Sequence, residues 1–468
     1  MKQVEQLAAF VMRASFADLS EQARACLKIR VLDSFGCALG ALDGEPVRHL
    51  RAQLDEFGGA SVCTLIGGGR SAPDRAAGYT TALTRYLDFM DNYMAKDQTC
   101  HPCDNLGSVL AAAEYADQTG KEFLTALAVA YQVQCRLTDE AQIMQRGFDH
   151  TTHLSFAIAA GVARALRLDE TQTANAISIC GAEFNALAVT RASPTSQWKG
   201  LASANTAFGA THATFLARRG VTGPIGVFEG PKGFMEACGH KFEIDWAQEN
   251  LERVTRTSVK RYNAEVHSQS ALEGMLELRA QHGFTADEVE QVEIEIFHEA
   301  YNIIGGGEYG DRTHVETKEQ ADHSLPYLIA VAIIDGQVEP EQFAPERIKR
   351  ADVQSLLRKV SVRPHSLVPG VTAESLNTYS WYYPKEMRCQ LTVSLHDGRE
   401  LKIEKKDYEG FYARPASWAT AVEKFERLSA RAADTPLRRE IAQAVADLEA
   451  ITVGELVQLI AKAKVPVA

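Results

Sequence analysis

From residue 4 to about 275 the apolar positions recur at i, i+3 and i+4, the period of one buried face of a helix. Alanine-rich runs such as "LGSVLAAAEYADQTG" and "FLTALAVAYQVQCRL" support helix and allow close helix approach, and short breaks such as "LIGGGRSAPDRAA" divide one helix from the next. Near residue 285 the period becomes two: "EVEQVEIEIF" sets Val292, Ile294 and Ile296 on one face with glutamates between, the alternation of a half-buried strand. A hairpin is predicted at 389–403, where "CQLTVSLHDGRELKI" alternates, turns at Asp397-Gly398 and resumes with Leu401 and Ile403. Between these strands, "SLPYLIAVAIIDG" reads as a buried helix ending at Gly336, and 346–358 as a second helix. Amphipathic helices return at 418–428 and 437–451.

The fold class expected is mainly α with an α+β second domain. A helical domain spans 1–275, an α+β domain spans 276–408, and the C-terminal helices of 409–468 pack back on the helical domain. No internal repeat interrupts this order, and a cleft between two such domains is the default place for a ligand.

Composition changes the picture mainly by exclusion. The 468 residues are 46% hydrophobic and 24% charged, enough for a core without staples, so metal or disulfide chemistry has to be argued from local spacing. A formal charge of −12 with no Lys/Arg run argues against nucleic acid and anionic membrane as partners. The N-terminal stretch lacks the features of a signal peptide, and no uncharged apolar run is long enough to span a bilayer. Nine scattered cysteines fit a reduced, cytoplasmic location.

One short stretch carries competing chemistry. In "TCHPCD" at 99–104, Cys100 and Cys103 have the spacing of half a zinc site or a redox dithiol, with His101 between them. No second C-x-x-C exists to complete a zinc site, although His150 and His153 in "HTTH" sit at the short edge of a ligand spacing. The preceding "YLDFMDNYMAKDQ" does not read as the buried strand of a thioredoxin-like motif. The plain alternative is that Asp104 or Asn105 caps the next helix, which leaves His101 beside a helix N-terminus that favours an anion. Other polar residues gather at similar junctions: Asp88 and Asp91, His150, Lys199, Lys260 and His267, and Tyr309, Asp322 and His323. Taken one at a time, each is more often a surface or capping residue than a catalyst.

Together these stretches resemble the 2-methylcitrate dehydratase family, also called MmgE/PrpD, which includes cis-aconitate decarboxylases and iminodisuccinate epimerases. The likeness is carried by "VLDSFGCALGAL", "SAPDRAAGYTTALTRYLDFMDNY", "HPCDNLGSVLAAAEYA", "GVFEGPKGF", "TKEQADHSLPYLIAVAIIDG" and "ARPASWATAVEKF". The resemblance implies a helical domain joined to a smaller α+β domain, a homodimer, and a site with no metal and no other cofactor. It makes His101 the functional residue of "TCHPCD", with Cys103 standing where serine is common.

The activity implied is a hydro-lyase acting on a small tricarboxylate such as 2-methylcitrate or citrate. A cis-aconitate decarboxylase, a dicarboxylate epimerase and a non-catalytic carboxylate-binding protein are the alternatives. Removing a proton α to a carboxylate needs a base and fixed positive charge at the developing oxyanion. By resemblance, His101 transfers the proton, and Asp91 orients it or acts as a second acid/base group. His150 and Tyr309 complete the catalytic set, and Lys199, Lys260 and Arg191 bind carboxylates. His323 is read as structural, and the glycine-rich "IIGGGEYG" as a flexible loop.

Overall fold

A computed structural model describes residues 1–96, 98–368, 371 and 373–464. The chain forms two compact units, one of Met1–Val189, Gly200–Val259 and Ala416–Ala468, the other of Thr190–Lys199 and Lys260–Pro415.

The first unit is built from helices. Glu21–Gly40 packs against the C-terminal helix Trp418–Ser429 at very short range: a Cβ added to Gly36 would lie 3.2 Å from the Phe425 backbone. The same pair is fastened by a buried ion pair of Lys424 Nζ with Asp33 Oδ1 at 2.7 Å. Gly120–Glu140 packs on Thr151–Ala165, where a Cβ on Gly161 would meet Ala130 at 2.8 Å and Val109 at 2.9 Å. Small residues therefore set the helix spacing here, as the alanine-rich runs imply. The C-terminal helices belong to this unit.

The second unit holds a four-stranded sheet in the order Val360–Pro364, Val289–Ile296, Cys389–Leu395, Glu400–Lys405. The first pair is parallel and the others antiparallel, with Leu391 opposite Ile403 and Val393 opposite Leu401 across the hairpin. Gly398 makes the turn at φ 88°, a conformation that glycine reaches without strain. Val292, Ile294 and Ile296 are fully buried. The helices Gln269–His282 and Leu325–Asp335 cover the sheet, the second starting from a Ser324 cap and ending at Gly336 in the left-handed region. The period change near residue 285 marks the first strand, whereas the main segment of the unit begins at Lys260, because the helix Gln269–His282 packs on this sheet.

Two local expectations are corrected. The parallel strand Val360–Pro364 was not foreseen; its "VSVRP" is short and closes with proline. The single helix of 346–358 is two short ones, Pro345–Ile348 and Ala351–Leu357, separated where Arg350 turns extended (ψ 138°). Among the described residues no helix is long and apolar enough to cross a membrane.

Candidate functional site

In the first unit, the loop 87–92 is shaped by a turn that only a few side chains tolerate. Asp88 sits at φ 61°, with its carboxylate 3.1 Å from Arg85 Nη1, and Lys424 donates to the Phe89 carbonyl at 2.6 Å. The C-terminal helix thereby holds the loop that presents Asp91. Asn92 bridges Ser258 through paired backbone hydrogen bonds of 2.9 and 2.8 Å, and a small hairpin of Tyr93–Ala95 with Gln98–Cys100 returns the chain to His101. A strand thus does precede the C-x-x-C pair, contrary to the sequence expectation: Tyr93, Ala95 and Cys100 supply a small core of their own with Cys135.

His101 is buried, and its Nδ1 lies 2.9 Å from the backbone carbonyl of Asp91. A carbonyl can only accept, so Nδ1 carries the hydrogen and Nε2 is the basic nitrogen of the neutral ring. The Asp91 carboxylate grips the same loop from the other side, accepting from the Cys103 N–H at 3.0 Å and from the Tyr131 hydroxyl at 2.8 Å. Burial pushes the Asp91 pKa up, more than Arg30 and these donors bring it down. His150, at the N-terminus of Thr151–Ala165, meets His101 edge to face with centroids 5.1 Å apart. Asp149 caps the same turn through Thr151 N–H at 3.0 Å and stands 3.8 Å from His150 Nε2.

The two histidines of "HTTH" separate. His153 packs against Phe234 with centroids 6.3 Å apart, and burial pushes its pKa down to about 3, so it stays neutral. The cysteines separate too. Cys100 belongs to the small core with Cys135 and Cys103 to the main one, all nine are free thiols, and burial drives the Cys103 pKa far up, away from thiolate chemistry. The capping expectation is corrected: Asp104 accepts from Ser203 at 2.6 Å, and the Asn105 amide donates to Pro102 and Gln134 instead of capping Leu106–Tyr115.

The second unit gathers charge. Its segment Thr190–Lys199 is tied to the 309–319 region by Ser193 N–H to the Tyr309 carbonyl (2.9 Å) and by the Thr195 hydroxyl to the Glu319 carbonyl (2.7 Å). Arg191 Nη1 donates to the Lys199 carbonyl at 2.8 Å. Lys199 pairs with one oxygen of fully buried Asp322, Lys318 takes the other at 2.8 Å, and His323 Nδ1 sits 2.9 Å from the first. Burial alone would raise the Asp322 pKa, but Lys199, Lys318 and His323 outweigh it and hold the group below the usual carboxylate range.

Glu265 accepts from the His267 N–H and from its Nδ1, both at 2.8 Å, and His267 Nε2 lies 3.0 Å from the Tyr383 hydroxyl. Burial raises the Glu265 pKa, yet His267, His323 and buried Lys260 together keep it low. The "IIGGGEYG" segment folds back on the helix His298–Ile304, with Gly307 and Tyr309 N–H bonded to the Tyr301 and Asn302 carbonyls at 3.1 Å. Tyr309 is half-buried.

A model of the MmgE/PrpD N-terminal domain matches residues 5–247, and one of the MmgE/PrpD C-terminal domain matches residues 262–450. The chain belongs to the MmgE/PrpD family. Among similar proteins of known activity is the 2-methylcitrate dehydratase of Escherichia coli, 25% identical over 464 residues, covering 92% of this chain and 91% of that protein. The 2-methylcitrate dehydratase of Cupriavidus necator is 26% identical over 476 residues, covering 94% and 93%. A fungal alkylcitrate dehydratase is 26% identical over 441 residues, covering 86% and 82%.

In this MmgE/PrpD chain, His101, Asp91 and His150 stand together in the first unit, and Lys199, Lys260, Arg191 and Tyr309 belong to the second. Sequence reasoning missed Tyr131 and Glu265. Tyr131 lies inside the alanine-rich helix Gly120–Glu140, where nothing in the periodicity separates it from core. Glu265 had a signal, two residues before His267 in a polar stretch between helices.

Proposed function

We propose that this protein is a cofactor-independent hydro-lyase that dehydrates a small tricarboxylate of the 2-methylcitrate or citrate type. Membership of a family whose similar members are 2-methylcitrate and alkylcitrate dehydratases supports the lyase class. The observation that carries the mechanism is the bond from His101 Nδ1 to the Asp91 carbonyl, which presents Nε2 as a base. In this reading Nε2 of His101 takes the proton α to a carboxylate, the double bond forms, and the C–O bond breaks as His150 protonates the departing hydroxyl. The Asp91 carboxylate orients His101 by tying the Cys103 N–H, two residues on, to the helix hydroxyl of Tyr131. Lys199, Lys260 and Arg191 neutralise substrate carboxylates, and Tyr309 is a further proton donor.

The reading also carries a homodimer, tested by light scattering, and a cytoplasmic location, tested by fractionation. The decisive experiment is proton NMR of the protein incubated separately with 2-methylcitrate, citrate, cis-aconitate and iminodisuccinate in deuterated buffer. An alkene signal from either of the first two is expected, and the faster one names the substrate. Itaconate signals from cis-aconitate, or deuterium entering iminodisuccinate without net conversion, would replace the dehydratase by a decarboxylase or an epimerase. Silence from all four would favour a non-catalytic carboxylate-binding protein.

A further inference from the structure

Arg312 is only 2% exposed, yet among the described residues its guanidinium touches no carboxylate. It makes one long side-chain hydrogen bond, from Nη2 to the Arg191 carbonyl at 3.4 Å, and its Nε–H has no partner. Burial lowers its pKa by more than the distant charges of Glu265, Asp322 and Asp311 restore. Three other deeply buried cations of this protein are settled differently. Lys199 has Asp322, Lys424 has Asp33 and Arg85 has Asp88, each within ion-pair distance. Burying a cation without such a partner is unfavourable, and that cost is recovered when an anion arrives.

The neighbourhood fits an incoming anion. The backbone around Arg312 is fixed, since its carbonyl accepts from the Ser324 hydroxyl at the cap of Leu325–Asp335. Arg191, whose carbonyl orients the guanidinium, also donates to the Lys199 carbonyl at 2.8 Å, so three cationic residues share one backbone frame. A guanidinium presents parallel N–H groups on its Nε edge, which match the two oxygens of a carboxylate in a way an ammonium does not.

We propose that Arg312 is a substrate-binding residue that takes one carboxylate of the tricarboxylate on its open Nε edge. This rests on the carboxylate-substrate reading above, but not on the dehydration itself. The test therefore uses tricarballylate, a tricarboxylate with no hydroxyl to lose, titrated calorimetrically into the full-length protein. Wild type is expected to bind it, Arg312→Gln to bind it about tenfold or more weakly, and Arg312→Lys, which keeps charge but not the fork, to fall between. The unliganded melting temperature of Arg312→Gln is expected not to drop, because the buried cation has no ion pair to lose.

Wild-type affinity in either variant overturns the proposal, as does a wild-type protein that does not bind tricarballylate. If the dehydratase reading alone is wrong, the NMR experiment shows no alkene while the loss of binding in Arg312→Gln persists. If Arg312 alone is misassigned, alkene forms and the variants bind tricarballylate like wild type.

Discussion

Asp91 in the first unit and Asp322 in the second are the same residue, both essentially excluded from solvent, and they titrate in opposite directions. Burial penalises the charged form of each. Asp91 is offset by hydrogen bonds and the Arg30 charge, too little to cancel the penalty, and its pKa stays up. Asp322 has Lys199 and Lys318 on its two oxygens and His323 beside it, and its pKa goes down. The number of adjacent cations, not depth, decides the sign. The first unit holds its polar groups in a mesh of hydrogen bonds around the His101 imidazole, the arrangement proposed to move a proton. The second sets Lys199 and Lys318 on the Asp322 carboxylate, beside the cations proposed to hold the substrate.

The largest effect should come from the first unit. His101→Asn removes the proposed base, and kcat is expected to fall by about 10²–10⁴-fold with little change in KM and an unchanged melting temperature. Near wild-type turnover in a folded variant would remove His101 from the mechanism. A change in KM alone would break the comparison, because it would make His101 an anion-binding residue like those proposed in the second unit.

Asp322→Asn should act on stability. Removing one partner of a buried ion pair leaves Lys199 and Lys318 uncompensated and costs roughly 3–5 kcal/mol, measurable by denaturant unfolding. The pH signature has a definite sign. A depressed folded-state pKa means stability that is present above the unfolded value, near 3.9, and lost as pH falls through the folded one; the variant should lack that acid-side loss. Asp91 predicts the reverse. Its raised pKa means stability greatest below the unfolded value and declining as pH rises through the folded one, a decline Asp91→Asn should abolish.

How much of this was legible in the sequence depends on the distance between the groups. The helix period, the Asp-Gly hairpin and the Gly336 stop are local and emerged as expected, because each is decided by a few adjacent residues. The roles of Asp104 and Asn105 did not, since Ser203 and Gln134, which engage them, are far away in sequence. The parallel strand Val360–Pro364 was missed for a similar reason: its partner is seventy or so positions away and its own five residues carry little pattern. His150 and His153 share one motif, and only packing separates the ring beside His101 from the ring beside Phe234. Arg312 resembles any loop arginine until its burial is known.

Tyr131→Phe sharpens the first half of the comparison. It deletes one donor to Asp91 while keeping the ring, so the loop carrying the His101 partner carbonyl should loosen without losing core packing. The expected outcome is a fall in kcat of about tenfold at constant KM, with about 1 kcal/mol of stability lost. Equal changes in kcat and stability on replacing other buried tyrosines, Tyr79 for example, would reduce Tyr131 to a packing residue.

The smallest effect is expected from the residues that looked most chemical. Cys100→Ala with Cys103→Ala should lower stability by roughly 1–3 kcal/mol through lost packing and leave kcat within about twofold. The two sulfurs lie in different cores, the Cys103 thiol is held protonated by burial, and its backbone N–H, which the substitution preserves, makes the 3.0 Å bond to the Asp91 carboxylate, leaving only the weaker thiol contacts to Asp91, such as the one at 4.0 Å to its carbonyl, to be lost. Incubation with EDTA should have equally little effect on turnover. Activity lost on chelation and restored by zinc or ferrous iron would return the pair to a metal-binding role, and it would also mean that His101 acts as a ligand rather than as a base.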